Sequence, residues 1–192
     1  MTITNKKILS TVIANNYVVI AKVIIGVVAL FAGAQIVIPL KPVPIIMNTV
    51  LISIIAFTYS SRLSFVTVLA YITAGIVGLP MFSKMSGGLD YFLGTTCGYF
   101  IGFLIATPVM SILKNKFSKE FTGAYSRHLS MFCACLVGHI IIYFLGVSWL
   151  ATIIGVKQAI YSGFIIFIPT GLVKILIFSS IYSYIKGRKN VL

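Results

Sequence analysis

Acidic side chains are almost missing: Asp90 and Glu120 are the only two in 192 residues. Charge of either sign accounts for 9% of the chain, against about 25% in an ordinary soluble domain. This excludes a water-soluble globule, whose exterior needs interspersed charge. The shortage also removes the groups a membrane protease or transferase would need, since two histidines and two acids cannot supply a carboxylate pair or a metal cluster in the apolar runs. A Gly-Lys-Ser/Thr phosphate loop and a Gly-x-Ser-x-Gly nucleophile turn are absent too. Catalysis and metal or cofactor chemistry are therefore not expected. Three cysteines, Cys97, Cys133 and Cys135, are odd in number and sit inside apolar segments, which reads as packing rather than disulfide or metal chemistry.

What is abundant is apolar surface: 59% of residues, with a mean hydropathy of +1.10. A bilayer must be the solvent for most of these side chains. At about 20 residues per span, six helices use roughly 120 residues and leave about 70 for loops and tails. Apolar runs place them near Tyr17–Ile38, Ile45–Tyr59, Leu63–Val77, Phe92–Leu113, Leu129–Trp149 and Ile160–Tyr184, in one all-α integral membrane domain covering 1–192. The third run is short, ending at Gly78-Leu79-Pro80, so irregular backbone continues it and must be covered by protein or line something polar.

The net charge of +13 invites a nucleic-acid reading, which fails because the bases are scattered one or two per loop. Facing anionic cytoplasmic lipid explains them better. With a cytoplasmic N-terminus, Lys6, Lys7, Arg62, Lys114, Lys116, Lys119, Arg127, Lys186, Arg188 and Lys189 fall inside, and only Lys41, Lys84 and Lys157 fall outside. Both termini are thus expected in the cytoplasm. The start of the chain imitates a signal peptide, with Ala32-Gly33-Ala34 as the small triplet, but Lys22 interrupts the run and its length favours a retained helix.

Lys174 is the most informative residue, because it falls near mid-membrane in the last helix. A lysine there costs on the order of 2.5–3.5 kcal/mol on insertion scales, and it needs a partner. Glu120 is expected in the large cytoplasmic loop, which leaves only Asp90 in an outer loop. An anionic ligand, most simply a carboxylate, is the sharper reading; a neutral or snorkelling lysine is the plainer one. Pro169 frees backbone carbonyls in the preceding turn of the same helix. Lys22, near a helix end, is expected to snorkel.

Two outer segments could shape a site. Residues 75–99 hold six glycines beside Phe82, Tyr91, Phe92 and Tyr99 and the hydroxyls of Ser86 and Thr95, a composition that lets backbone approach a flat ligand closely or merely connects two helices. Residues 35–48 hold Pro39, Pro42 and Pro44 between the amides of Gln35 and Asn48, which could read hydrogen-bonding edges or cap freed backbone groups. His139, midway along the fifth helix, is either bonded to a neighbouring helix or titrating. Ala29 and Gly33 have the spacing of a close helix contact.

Together Gln35-x-x-Ile38-Pro39-Leu40-x-Pro42-Val43-Pro44-Ile45, Gly78-Leu79-Pro80-x-Phe82 with Gly87-Gly88, Gly94-Thr95-x-x-Gly98-Tyr99 and Phe167-Ile168-Pro169 with Lys174 resemble the BioY family, the biotin-binding S components of energy-coupling factor transporters. The resemblance implies a six-helix S-component fold in a bacterial plasma membrane and an outward-opening biotin pocket. It also implies a ligand contact at Lys174, with Ser86 polar and close by. With the readings above, the candidate ligand residues are Lys174, Ser86, Asn48, Phe82, Gly87, Gly88, Asp90, Thr95, Tyr99 and Gln35; the resemblance supplies a transmembrane coupling protein and two ATPases as partners, with Ala29 and Gly33 as one candidate docking face. The chain departs from the family at Thr170-Gly171, where Gly-Asp is usual, and at Asn48, where glutamine is common. Another small carboxylate as ligand, or a passive pore for an anionic solute, are the competing readings.

Overall fold

The computed structural model describes the backbone of residues 3–40, 42–120 and 124–188, and the side chains of 16–40, 42–117, 129–176 and 178–180. Lys41 and Lys189 lie outside the described residues, as do the side chains of Lys6, Lys7, Lys119, Glu120, Arg127, Lys186 and Arg188. Among the described residues, eight α-helices follow in order: α1 (Ile3–Gln35), α2 (Asn48–Thr58), α3 (Ser61–Ile76), the short α4 (Leu89–Phe92), α5 (Cys97–Glu120), α6 (Ala124–Ile154), α7 (Val156–Ile160) and α8 (Phe167–Arg188).

Among the described residues, four segments are long and apolar enough to cross a membrane: Asn16–Gln35, Cys97–Phe117, Leu129–Ile154 and Val156–Ser180. The other two apolar helices, α2 and α3, have 11 and 16 residues. The second run was expected to be helical from Ile45, yet Ile45–Ile46 pairs antiparallel with Val37–Ile38 as a two-stranded ribbon, β1 and β2. Three prolines between the strands remove the amide donors a helix would need, so the ribbon replaces both the end of the first run and the start of the second. The fourth run breaks into α4 and α5, with Gly94 and Thr95 between them. Residue 120, expected in a long loop, is instead the last of α5, and α6 resumes at Ala124.

Close packing of α5 on α6 organises the core. A Cβ at Gly98 would lie 2.3 Å from the Leu145 oxygen, one at Gly102 2.8 Å from Ile142 Cα, and one at Gly138 2.3 Å from Met110 Sδ. The two helices run antiparallel along this line, and small residues let their backbones meet where lipid offers no hydrophobic drive. Outward faces are apolar, as on α1 with Tyr17, Ile20, Ile24, Ile25 and Val28 exposed.

One end of the bundle is fixed by the corner between α2 and α3. Tyr59 donates its hydroxyl to the Lys22 carbonyl (2.7 Å), Ser111 Oγ donates to the Tyr59 carbonyl (3.1 Å), and Lys114 Nζ donates to the Phe57 carbonyl (3.2 Å). The Ser111 and Lys114 donors serve carbonyls that the end of α2 leaves unpaired, while the Tyr59 hydroxyl ties the corner to α1. Cys135 and Cys97 are buried and Cys133 half-buried, all three with free thiols.

Candidate functional site

At the opposite end, α2, α3, α5, α6 and α8 line a narrow cavity of about 40 Å³ beneath the ribbon, so side chains or the ribbon must shift to admit a drug-sized molecule. Its walls are largely aromatic: Tyr71, Tyr91, Tyr99, Phe100, Phe103, Tyr143 and Phe167. Val43, Pro44, Ile45 and Ile46 of the ribbon close one side. Polar groups are few, namely Thr49, Ser83, Thr96 and Lys174 with the tyrosine hydroxyls.

Lys174 is half-buried, and its Nζ donates to the Ile46 carbonyl (2.9 Å) and approaches Thr49 Oγ1 (3.5 Å). This places the ammonium beside the amino end of α2. That helix has no acidic residue in its first turn, and Met47 before it makes no side-chain cap. A cation next to the positive end of a helix dipole is electrostatically unfavourable, and no carboxylate among the described residues lines the cavity. The corner therefore carries positive charge without an anion.

Of the sequence-predicted ligand residues, Lys174 and Tyr99 line the cavity. Tyr99 donates its hydroxyl to the Gly163 carbonyl (2.9 Å), in the π-helical turn Tyr161–Ile165 that precedes α8.

The remaining candidates shape the walls and the cover. Asn48 is fully buried and donates Nδ2 to Tyr71 Oη (3.1 Å), which in turn donates to the Met81 carbonyl (3.0 Å). Gln35 donates Nε2 to the Phe82 carbonyl and accepts from the Met85 amide, both at 3.0 Å. Phe82 is fully buried under Gly75, where a Cβ would come within 2.2 Å of its ring, and it stacks on Tyr91 at 5.4 Å. A Cβ at Gly87 would meet the Leu79 carbonyl at 2.2 Å, and Gly88 has φ +95°, so this loop demands glycine. Thr95 donates to the Pro42 carbonyl (3.1 Å), latching the ribbon tip to the α4–α5 connection. Ser86 and Thr95 line a more open pocket outside the ribbon with Pro39 and Lys84, which shares Pro44, Ser83, Tyr91 and Thr96 with the cavity. Asp90 is exposed on α4 and lines neither pocket.

The side chains the sequence reading did not single out are Thr49, Ser83, Thr96 and Tyr143. Ser83 reaches the cavity because Lys84 and Met85 both adopt left-handed backbone (φ 59° and 56°), turning the chain away after it. Its hydroxyl bonds the phenol of Tyr91, and burial raises that phenol's pKa above its ordinary value.

Two expectations change. His139 bonds not to a neighbouring helix but to the Cys135 carbonyl one turn back on its own (2.9 Å), and Nε2 has no partner among the described residues. Gly33 is no outward docking face, because it is buried under α2, where a Cβ would lie 2.2 Å from Leu51 Cδ1; Ala29 is half-buried beside it.

Known proteins can now be set beside this geometry. A crystal structure of the S component for biotin from an ECF-type ABC transporter superposes with a TM-score of 0.76, covering 97% of this chain and 95% of that one at 21% identity, which is a likeness of fold. A protein of Rickettsia prowazekii named as a probable biotin transporter BioY is 54% identical over 176 residues, 91% of this chain and 87% of its own. Another of that name, from Pyrococcus horikoshii, is 32% identical across 78% of this chain and 88% of its own, and the biotin transporter BioY of Thermotoga maritima is 32% identical across 76% and 82%. The BioY family model matches residues 5–190, and the chain belongs to the BioY family.

Proposed function

We propose that this protein captures biotin at the outer face of a bacterial plasma membrane and acts as the substrate-binding component of an energy-coupling factor transporter. One observation carries the reading: Lys174 and the uncapped end of α2 put two positive features on the cavity wall with no carboxylate beside them. A ligand that brings its own anion removes that imbalance. Biotin has a carboxylate at one end and a compact bicycle at the other. Its carboxylate pairs with Lys174, while the bicycle lies against Tyr71, Tyr91, Phe100 and Phe103. The ureido edge then meets Ser83, Thr96 and the Tyr91 hydroxyl.

Gln35, Phe82, Gly87, Gly88, Thr95 and Asn48 keep the walls and cover in place, as their hydrogen bonds and close contacts support. In the membrane, α1, α2, α3, α5, α6 and the α7–α8 unit form six crossings with both termini cytoplasmic. The ribbon and the 77–88 loop complete the depth that α2 and α3 lack. No phosphate loop occurs in the sequence, so energy comes from a transmembrane coupling protein and ATPases, which dock on surface other than buried Gly33.

Equilibrium binding of biotin and of biotin methyl ester to the detergent-purified chain tests this. Saturable biotin binding, at least about tenfold weaker for the ester, is expected, since a charge-assisted hydrogen bond is worth roughly 1.5–3 kcal/mol. Absence of saturable binding by folded protein overturns it, and unsaturable solute flux through vesicles would point to a passive pore.

A further inference from the structure

Gly171 and Tyr143 face each other across α8 and α6. A Cβ built at Gly171 would lie 2.6 Å from Tyr143 Oη and 3.5 Å from its Cζ, so the phenol oxygen occupies the place a side chain at 171 would fill. Residues 171 and 174 are three apart on α8 and share a face, and Tyr143 and Lys174 both line the cavity. The hydroxyls of Tyr71 and Tyr99 are committed to the Met81 and Gly163 carbonyls. Tyr143 Oη makes no hydrogen bond among the described residues, and its ring lines the cavity, which leaves the hydroxyl available to a ligand. Edge-on contacts with Phe164 and Phe167, at 6.0 and 6.1 Å, fix the ring and aim the oxygen at α8.

We propose that Tyr143 is a second ligand-contacting residue, its hydroxyl donating to the ligand's carboxylate beside Lys174, in a position that requires glycine at 171. This rests on the capture of biotin proposed above. It assigns the phenol to the anionic end of the ligand, not to the ring.

Binding of biotin and biotin methyl ester is compared for the wild-type chain, Tyr143→Phe, Gly171→Ala and the double variant, each checked for monodispersity and thermal unfolding. Tyr143→Phe is expected to weaken biotin about tenfold, the loss of one hydrogen bond to a charged group, and the ester less than threefold. Gly171→Ala is expected to weaken biotin similarly by displacing the oxygen. The double variant should bind no worse than Tyr143→Phe, because phenylalanine leaves only the 3.5 Å ring contact. Unchanged biotin affinity in Tyr143→Phe, equal losses for both ligands, or additive losses in the double variant overturn the assignment. A wild-type chain that does not bind biotin overturns the capture reading itself, which the first titration reveals separately.

Discussion

Lys174 Nζ lies 2.9 Å from the Ile46 carbonyl oxygen, a contact between residues 128 apart in sequence. It ties the last helix to the ribbon that covers the cavity, so the group that receives the ligand's charge also holds the cover.

Lys174→Met should accordingly loosen the ribbon as well as weaken ligand binding. Losing a charged donor to a backbone carbonyl costs about 1.5 kcal/mol or more, which corresponds to roughly tenfold faster local opening. Hydrogen–deuterium exchange of ligand-free protein should therefore accelerate in residues 36–47 and stay unchanged in the α5–α6 contact. Ribbon exchange at the wild-type rate would show that the Ile46 contact contributes no stability.

Gln35 supports a second prediction, because one side chain serves both a donor and an acceptor of the loop after Phe82. It donates to the Phe82 carbonyl and accepts from the Met85 amide. Gln35→Leu leaves both backbone groups without these partners, at a cost of about 1–3 kcal/mol. The melting temperature should fall by about 2–12 °C on the scaling for a chain of this size. Bound ligand should recover part of that loss, since binding the folded state raises apparent stability. A variant melting within a degree of wild type would mean that water satisfies the loop equally well.

Lys174 was legible in the sequence because a lone cation in an apolar run has so few explanations. The antiparallel α5–α6 pair followed from long apolar runs on either side of a basic stretch. The hydroxyls were not legible in the same way. Ser83 and Ser86 are three residues apart, and only the left-handed backbone at Lys84 and Met85 decides which faces the cavity; neither residue type announces that conformation. Thr95 and Thr96 divide similarly, one latching the ribbon and the other lining the cavity. Tyr143 sits among apolar neighbours at helical spacing and reads as core until Gly171 is seen opposite it. The ribbon is not legible in the sequence, because proline-rich sequence between two helices specifies a turn without specifying that its flanks pair.

His139 yields the last prediction, which separates a structural histidine from a functional one. A carbonyl can only accept, so the contact with the Cys135 oxygen at 2.9 Å requires the proton on Nδ1. In neutral imidazole this leaves the lone pair on Nε2, which is buried and has no partner. Burying such an acceptor costs about 1–3 kcal/mol. The Cys135 carbonyl loses little if the ring is removed, because within α6 it also accepts the backbone amide one turn ahead. His139→Leu fills most of the same volume without the orphaned nitrogen. It should unfold at the same temperature or a few degrees higher, with biotin affinity within about twofold of wild type. A loss of affinity with unchanged melting would instead place Nε2 in contact with the ligand or with a lysine that moves when the ligand binds.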